Sequence, residues 1–199
     1  MNPSVPCGVF LASRARVLTS APHPKGDDLA MDYEVNGLPM HVLLVHFIVV
    51  GVPLAALLTV LSALWPAARR RLGIITPLVA LGVLIMTPVA VQAGQWLLAR
   101  VHNTPLITTH ADLGSTMIWF SIGLFIAALL AWGVPTMMAR RSGGAPPWVG
   151  VVVAVVAVVL AGASVVQVYR VGEAGSAALW TGSFCQVPLN ADGLCPVAG

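Results

Sequence analysis

Four of the five histidines in this chain, His41, His46, His102 and His110, fall at the same edge of a set of apolar segments. An imidazole near hydrocarbon is unfavourable without a partner, so each is a candidate ligand, proton carrier or hydrogen-bonding group. A bis-histidine haem needs two imidazoles on different helices at similar depth, and His46 with His110 fits that pattern. A copper or zinc ion would draw instead on His41, His46, His102 and His110, with Met40 as a soft ligand and Asp112 as an acceptor behind a ring. His41 and His46 are five positions apart, about 140° around a helix, so both cannot face one interior point. His46 is the deeper of the two and is the expected partner of His110. The plainer account is that His46 and His110 hydrogen-bond across helices as packing glue, with His41 and His102 in the wet interface. Proton or quinone handling comes third.

Other polar groups are sparse. Gln92 and Gln95 share a helix face, with Thr87 a further step inward, and intramembrane amides ordinarily face neighbouring helices. Gly94, Gly114 and Gly123 permit close helix approach. There is no His-Glu-x-x-His helix, phosphate-cradling glycine loop or Ser-His-Asp arrangement, so a hydrolase or ATPase is not expected. Cys185 and Cys195 flank a turn-forming stretch, and in an oxidising compartment they are expected to form a disulfide.

The elements that carry these residues are dictated by composition. The 199 residues are 58% hydrophobic and 9% charged, with a mean hydropathy of +0.90, a balance that belongs in a lipid bilayer. Four apolar segments, residues 40–64, 74–98, 113–134 and 148–168, each have the length to cross about 30 Å of hydrocarbon. They predict an all-α integral membrane protein, a four-helix up-down transmembrane bundle spanning residues 37–170. Pro53, Pro77 and Pro88 predict kinks, most of all in the second helix. The net charge of +3 comes from a few arginines in short loops and is a topology signal, with no footprint for nucleic acid. Arg69, Arg70 and Arg71 follow the first helix and Arg140 and Arg141 the third, so both loops are expected in the cytoplasm and both termini outside. Trp65, Trp96, Trp132 and Trp148 sit near helix ends, as an aromatic belt requires. Ala-Ala-Leu-Leu occurs in the first and third helices, starting at Ala55 and Ala127, and hints at a parallel repeat of two hairpins. Residues 1–36 read as an unstructured arm, with Met31 the expected start and 1–30 an extension of the reading frame. Residues 171–199 read as an extracytoplasmic tail clipped by the Cys185–Cys195 bridge.

Several runs together resemble the bacterial membrane family called domain of unknown function 2231. They are Gly37-Leu-Pro-Met-His41-Val-Leu-Leu-Val-His46-Phe47, Trp65-Pro-Ala-Ala-Arg-Arg-Arg-Leu-Gly73, Ala93-Gly-Gln-Trp-Leu97, His110-Ala-Asp-Leu-Gly114 and Gly172-Glu-Ala-Gly-Ser-Ala-Ala-Leu-Trp180-Thr-Gly182. The likeness covers residues 37–182, and the Ala-, Val- and Arg-rich wording resembles an actinobacterial member. It implies a four-helix, multi-pass protein of the bacterial plasma membrane, in a family without an assigned biochemical activity. His46 and His110 match the family pattern, whereas at Gln95 the family is often acidic and this chain departs. Members that stand beside or are fused to electron-transfer domains lend weight to haem by analogy. The reading is an integral membrane protein with a candidate histidine-based cofactor or metal site at its outer face, its partners the lipid bilayer and respiratory or other membrane subunits. The alternatives are a haem b-binding electron-transfer subunit and a structural accessory subunit of a larger membrane complex.

Overall fold

The computed structural model describes residues 33–139 and 146–181. Cys185 and Cys195, the arm 1–30, Arg140 and Arg141 lie outside the described residues. The chain order is β1 (Glu34–Val35), β2 (Leu38–Pro39), α1 (Met40–Leu64), α2 (Pro66–Leu72), α3 (Ile75–Leu98), α4 (Pro105–Ala139) and α5 (Pro147–Trp180). Tyr33–Ala178 forms one compact unit. Of the second unit, Met1–Asp32 with Leu179–Gly199, only the last turn of α5 and Thr181 are described.

Local chemistry sets the element ends. Asn36 and Gly37 both take positive φ, 52° and 78°, the requirement of a two-residue hairpin turn between β1 and β2. This hairpin occupies the end of the stretch expected to be an unstructured arm, and the Met40 amide donates to the Tyr33 carbonyl at 2.8 Å, tying it to α1. Pro66 ends α1 by forcing Trp65 into extended backbone, φ −122° and ψ 105°, and then opens α2 at its first position. Gly73, at φ 49°, closes α2. Thr104 precedes Pro105 and its hydroxyl accepts from the Ile107 amide at 3.4 Å, an N-cap for α4. The helix α3 runs unbroken through Pro88.

Four helices, α1, α3, α4 and α5, are long and apolar enough to cross a membrane. The last two outrun the expected spans. Helix α4 starts at Pro105 and not near Leu113, and α5 continues past Val168 to Trp180 through the segment read as tail. The bundle is inverted in the manner of membrane proteins. Small residues such as Ala55, Ala80, Ala93, Ala127, Ala157 and Ala161 are buried, whereas Val50, Leu57, Trp119 and Val159 are exposed. Lipid is as apolar as leucine, so close backbone approach, and not burial of large side chains, is what holds such helices together.

Two hairpins, α1 with α3 and α4 with α5, make close contacts at corresponding positions. A carbon placed on Gly51 would lie 3.1 Å from Val83, and the Ser164 hydroxyl donates to the Phe120 carbonyl at 3.1 Å. From Gly51 to Phe120 is a step of 69 residues, and from Val83 to Ser164 a step of 81. The chain is thus a parallel repeat of one helical hairpin, in a register three residues away from the one suggested by Ala-Ala-Leu-Leu.

Candidate functional site: a histidine pair between two hairpins

The repeat is clearest at the two histidines. Helix α1 begins at Met40, so His41 stands in its first turn and its ring reaches α3, where Nδ1 donates to the Ala90 carbonyl at 2.9 Å. The ring lies against Gly94, whose missing Cβ would come within 3.0 Å of it. His110, in the second turn of α4, does the same to α5. Its Nδ1 donates to the Val171 carbonyl at 3.0 Å, and a Cβ on Gly175 would again meet the ring at 3.0 Å. His41 to His110 is a step of 69, and Ala90 to Val171, like Gly94 to Gly175, a step of 81.

The two rings then meet where the hairpins meet, with centroids 6.2 Å apart and planes at 78°, edge to face. Both are half-buried. A carbonyl only accepts, so each Nδ1 carries the proton, and in the neutral ring the lone pair is left on Nε2. Nδ1 tied to a carbonyl with Nε2 free is the arrangement that prepares an imidazole as a ligand.

The histidine expected to partner His110 is therefore corrected. His46 is exposed, and its Nδ1 is satisfied by the Val42 carbonyl of its own helix at 2.6 Å. Of the two positions about 140° apart, the pair takes His41, because Gly94 provides the seat and Ala90 the acceptor. His102 is exposed in the connection before α4. No group of three His, Cys, Asp or Glu side chains fit to hold an ion occurs among the described residues, so the four-histidine metal set is not assembled. Asp112 is exposed.

The intramembrane amides are corrected as well. Gln92 and Gln95 share a face as expected, but it is an exposed one. Thr87 is buried, donating to the Val83 carbonyl at 2.8 Å and bonding the Ser121 hydroxyl at 2.9 Å across to α4. Gln167 is the buried amide, donating to the Leu113 carbonyl at 3.2 Å and the Thr116 hydroxyl at 2.9 Å. It lies at the end of a run whose uniform apolarity conceals it. Ser62 bonds Thr76 across α1 and α3 at 2.9 Å. No buried side-chain polar atom lacks a partner among the described residues.

No family model, curated protein or solved structure matches the chain.

Proposed function

We propose that the His41–His110 pair is a two-imidazole ligand site in a multi-pass protein of the bacterial plasma membrane, and that its cofactor is haem b. The observation that carries this reading is the pairing itself: each repeat holds one imidazole by Nδ1, which leaves Nε2 as the lone-pair nitrogen, and the two rings meet edge to face where the repeats join, centroids 6.2 Å apart. The donor set fits haem better than a bare zinc or copper(II) ion. Such ions take three or four protein ligands, whereas a porphyrin fills four positions of its iron and asks the protein for two axial donors. Held there, haem would supply one-electron transfer. The residues of this chain would orient it: Ala90 and Val171 fix the tautomers through their carbonyls, and Gly94 and Gly175 set how far each ring leans into its neighbour helix.

Membership of domain of unknown function 2231, proposed on the sequence runs between Gly37 and Gly182, assigns no activity, and lends weight to electron transfer only by analogy with members that stand beside or are fused to electron-transfer domains. The site then uses His41 in place of the family-pattern His46. The outer placement rests on the arginines of α2, which by the positive-inside rule put that end of the bundle in the cytoplasm and the histidine pair and both termini outside.

The test is a dithionite-reduced minus air-oxidised visible spectrum of the detergent-purified protein beside three variants. Soret and α bands are expected in the parent and in His46→Ala, and are expected to be lost in His41→Ala and in His110→Ala. A featureless spectrum from folded parent protein would sink the haem reading and leave the pair as the packing element of an accessory subunit, since each ring already bonds a neighbouring helix. Bands that survive His41→Ala but vanish in His46→Ala would move the site to the other histidine.

A further inference from the structure

At the opposite end of the bundle from the histidines, the three arginines of α2 are not equivalent. Arg70 and Arg71 are exposed. Arg69 is half-buried and lines a cleft of about 190 Å³ between α2, α4 and α5, whose other walls include Pro135, Met138, Val149, Gly150 and Val153. One of its nitrogens donates to the Ser62 carbonyl at 3.4 Å, leaving most of the guanidinium fork unspent.

Among the described residues no carboxylate pairs with it. The acidic residues among those described are Glu34, Asp112 and Glu173, and each stands at the histidine end: Glu34 in the hairpin before α1, Asp112 two residues after His110, Glu173 between the carbonyl and the glycine that hold His110. A guanidinium in an apolar cleft without a counter-ion is costly. The repeat sharpens the asymmetry. By the step of 69, the position of Arg69 in the first half is that of Met138 in the second, and both line the cleft. One equivalent position offers a planar cationic fork and the other a flexible apolar chain.

We infer that this cleft binds an anionic phospholipid, with the phosphate on Arg69 and the start of an acyl chain along Met138, Val149 and Val153. Guanidinium geometry matches a phosphate bidentately, and basic pockets between transmembrane helices are the usual seats of acidic head groups. A free phosphate would use Arg69 but leave the apolar wall against water, so the lipid is the occupant that satisfies the whole lining. The exposed side chains of Trp65 and Trp148, at the ends of the neighbouring helices, place this end of the bundle at the depth of lipid head groups.

Native mass spectrometry of the intact protein in a non-ionic detergent tests this with dioleoylphosphatidylglycerol, dioleoylphosphatidylcholine and glycerol 1-phosphate as probes. The parent is expected to retain phosphatidylglycerol about tenfold more tightly than phosphatidylcholine, Arg69→Gln to lose that preference and Arg71→Gln to keep it. Gly150→Leu retains the charge, and a Cβ there meets nothing within 4 Å, so it adds apolar bulk at the cleft wall with no clash at the Cβ. It is expected to weaken retention of phosphatidylglycerol even if Arg69→Gln does not fold. Unchanged preference in Arg69→Gln, unchanged retention in Gly150→Leu, or displacement of the lipid by an equal concentration of glycerol 1-phosphate would each overturn the proposal.

Discussion

A histidine ring resting on a glycine is a contact that one methyl group can disturb. At Gly94 and Gly175 an added Cβ would lie 3.0 Å from an imidazole whose Nδ1 is already held by a carbonyl at 2.9 or 3.0 Å. The ring must withdraw by a few tenths of an ångström, and doing so stretches the hydrogen bond that sets its tautomer. Gly82 and Gly162 lie in the same helices, α3 and α5, with nothing within 4 Å of an added Cβ, so alanine there changes only backbone freedom and stabilises the helix by up to about 1 kcal/mol. Gly94→Ala and Gly175→Ala are therefore expected to fall about 1–3 kcal/mol below that control pair, measured by thermal unfolding in detergent. Equal stability across all four would mean the rings yield freely and the glycines are not their seats. The sequence pointed to histidines at one end of the bundle, and two of them, His41 and His110, meet there. Depth pointed to His46, but a histidine one turn into a helix can satisfy Nδ1 on its own i−4 carbonyl, as His46 does with Val42. What selects His41 is a carbonyl and a glycine about fifty residues away, which helical period cannot reveal. The signal that could have found it is that each histidine is followed by an Ala-Gly pair in the next apolar helix, Ala93-Gly94 after His41 and Ala174-Gly175 after His110.

Helix lengths tell a related story about what hydropathy measures. It recovers α1 to the residue and α3 to within one, because Pro39, Pro66, Gly73 and Arg100 interrupt both the apolar run and the helix. It truncates α4 and α5, because Thr108, Thr109, His110, Asp112, Arg170 and Glu173 end an apolar run without breaking a helix. A helix stops where hydrogen bonding or backbone geometry fails, and Thr104 with Pro105 is such a boundary. At 1.5 Å per residue, 35-residue α4 is about 50 Å long and must project beyond about 30 Å of hydrocarbon. The connection from 99 to 104 then stands in water on the histidine side, and α2 on the arginine side. On the proposed orientation, with α2 in the cytoplasm, Asn103→Cys is expected to react in intact cells with a membrane-impermeant maleimide. Arg71→Cys should react only after the cells are opened. Labelling in the reverse order would invert the bundle and turn the histidine pair toward the cytoplasm. Gln92 and Gln95 belong to the same lesson. They are expected inside because amides seek partners, yet they lie near the end of α3, where the polar edge of the bilayer supplies partners and no interior acceptor is required.

Two hairpins related by repeat raise the question of where the molecule's cohesion lies. Ala-Ala-Leu-Leu suggested the repeat but in the wrong register, because such tetrads recur by composition in apolar helices, whereas His41 with His110 and Pro66 with Pro135 share the true step of 69. In that register each histidine takes its carbonyl from its own hairpin, His41 from α3 and His110 from α5. The links between hairpins are of a different kind: the edge contact of the two rings, the Thr87–Ser121 hydroxyl pair and the packing of α4 on α1 and α3. Each hairpin therefore carries the means to seat one imidazole, but the pair exists only when the halves associate. Membrane helices commonly insert first and pack afterwards, so a break in the exposed connection before α4 should be tolerated. Fragments 1–103 and 104–199, co-expressed, are expected to co-purify through a tag on one of them. Adding Thr87→Val to the first and Ser121→Ala to the second removes a buried hydroxyl pair worth about 0.6 kcal/mol, with an upper bound near 1.7, so association of the halves should weaken about threefold and at most about twentyfold. Either fragment alone should lack any spectroscopic signature of the pair. Failure of the halves to co-purify would show that the short 99–104 connection, and not the packed faces, holds the two repeats together.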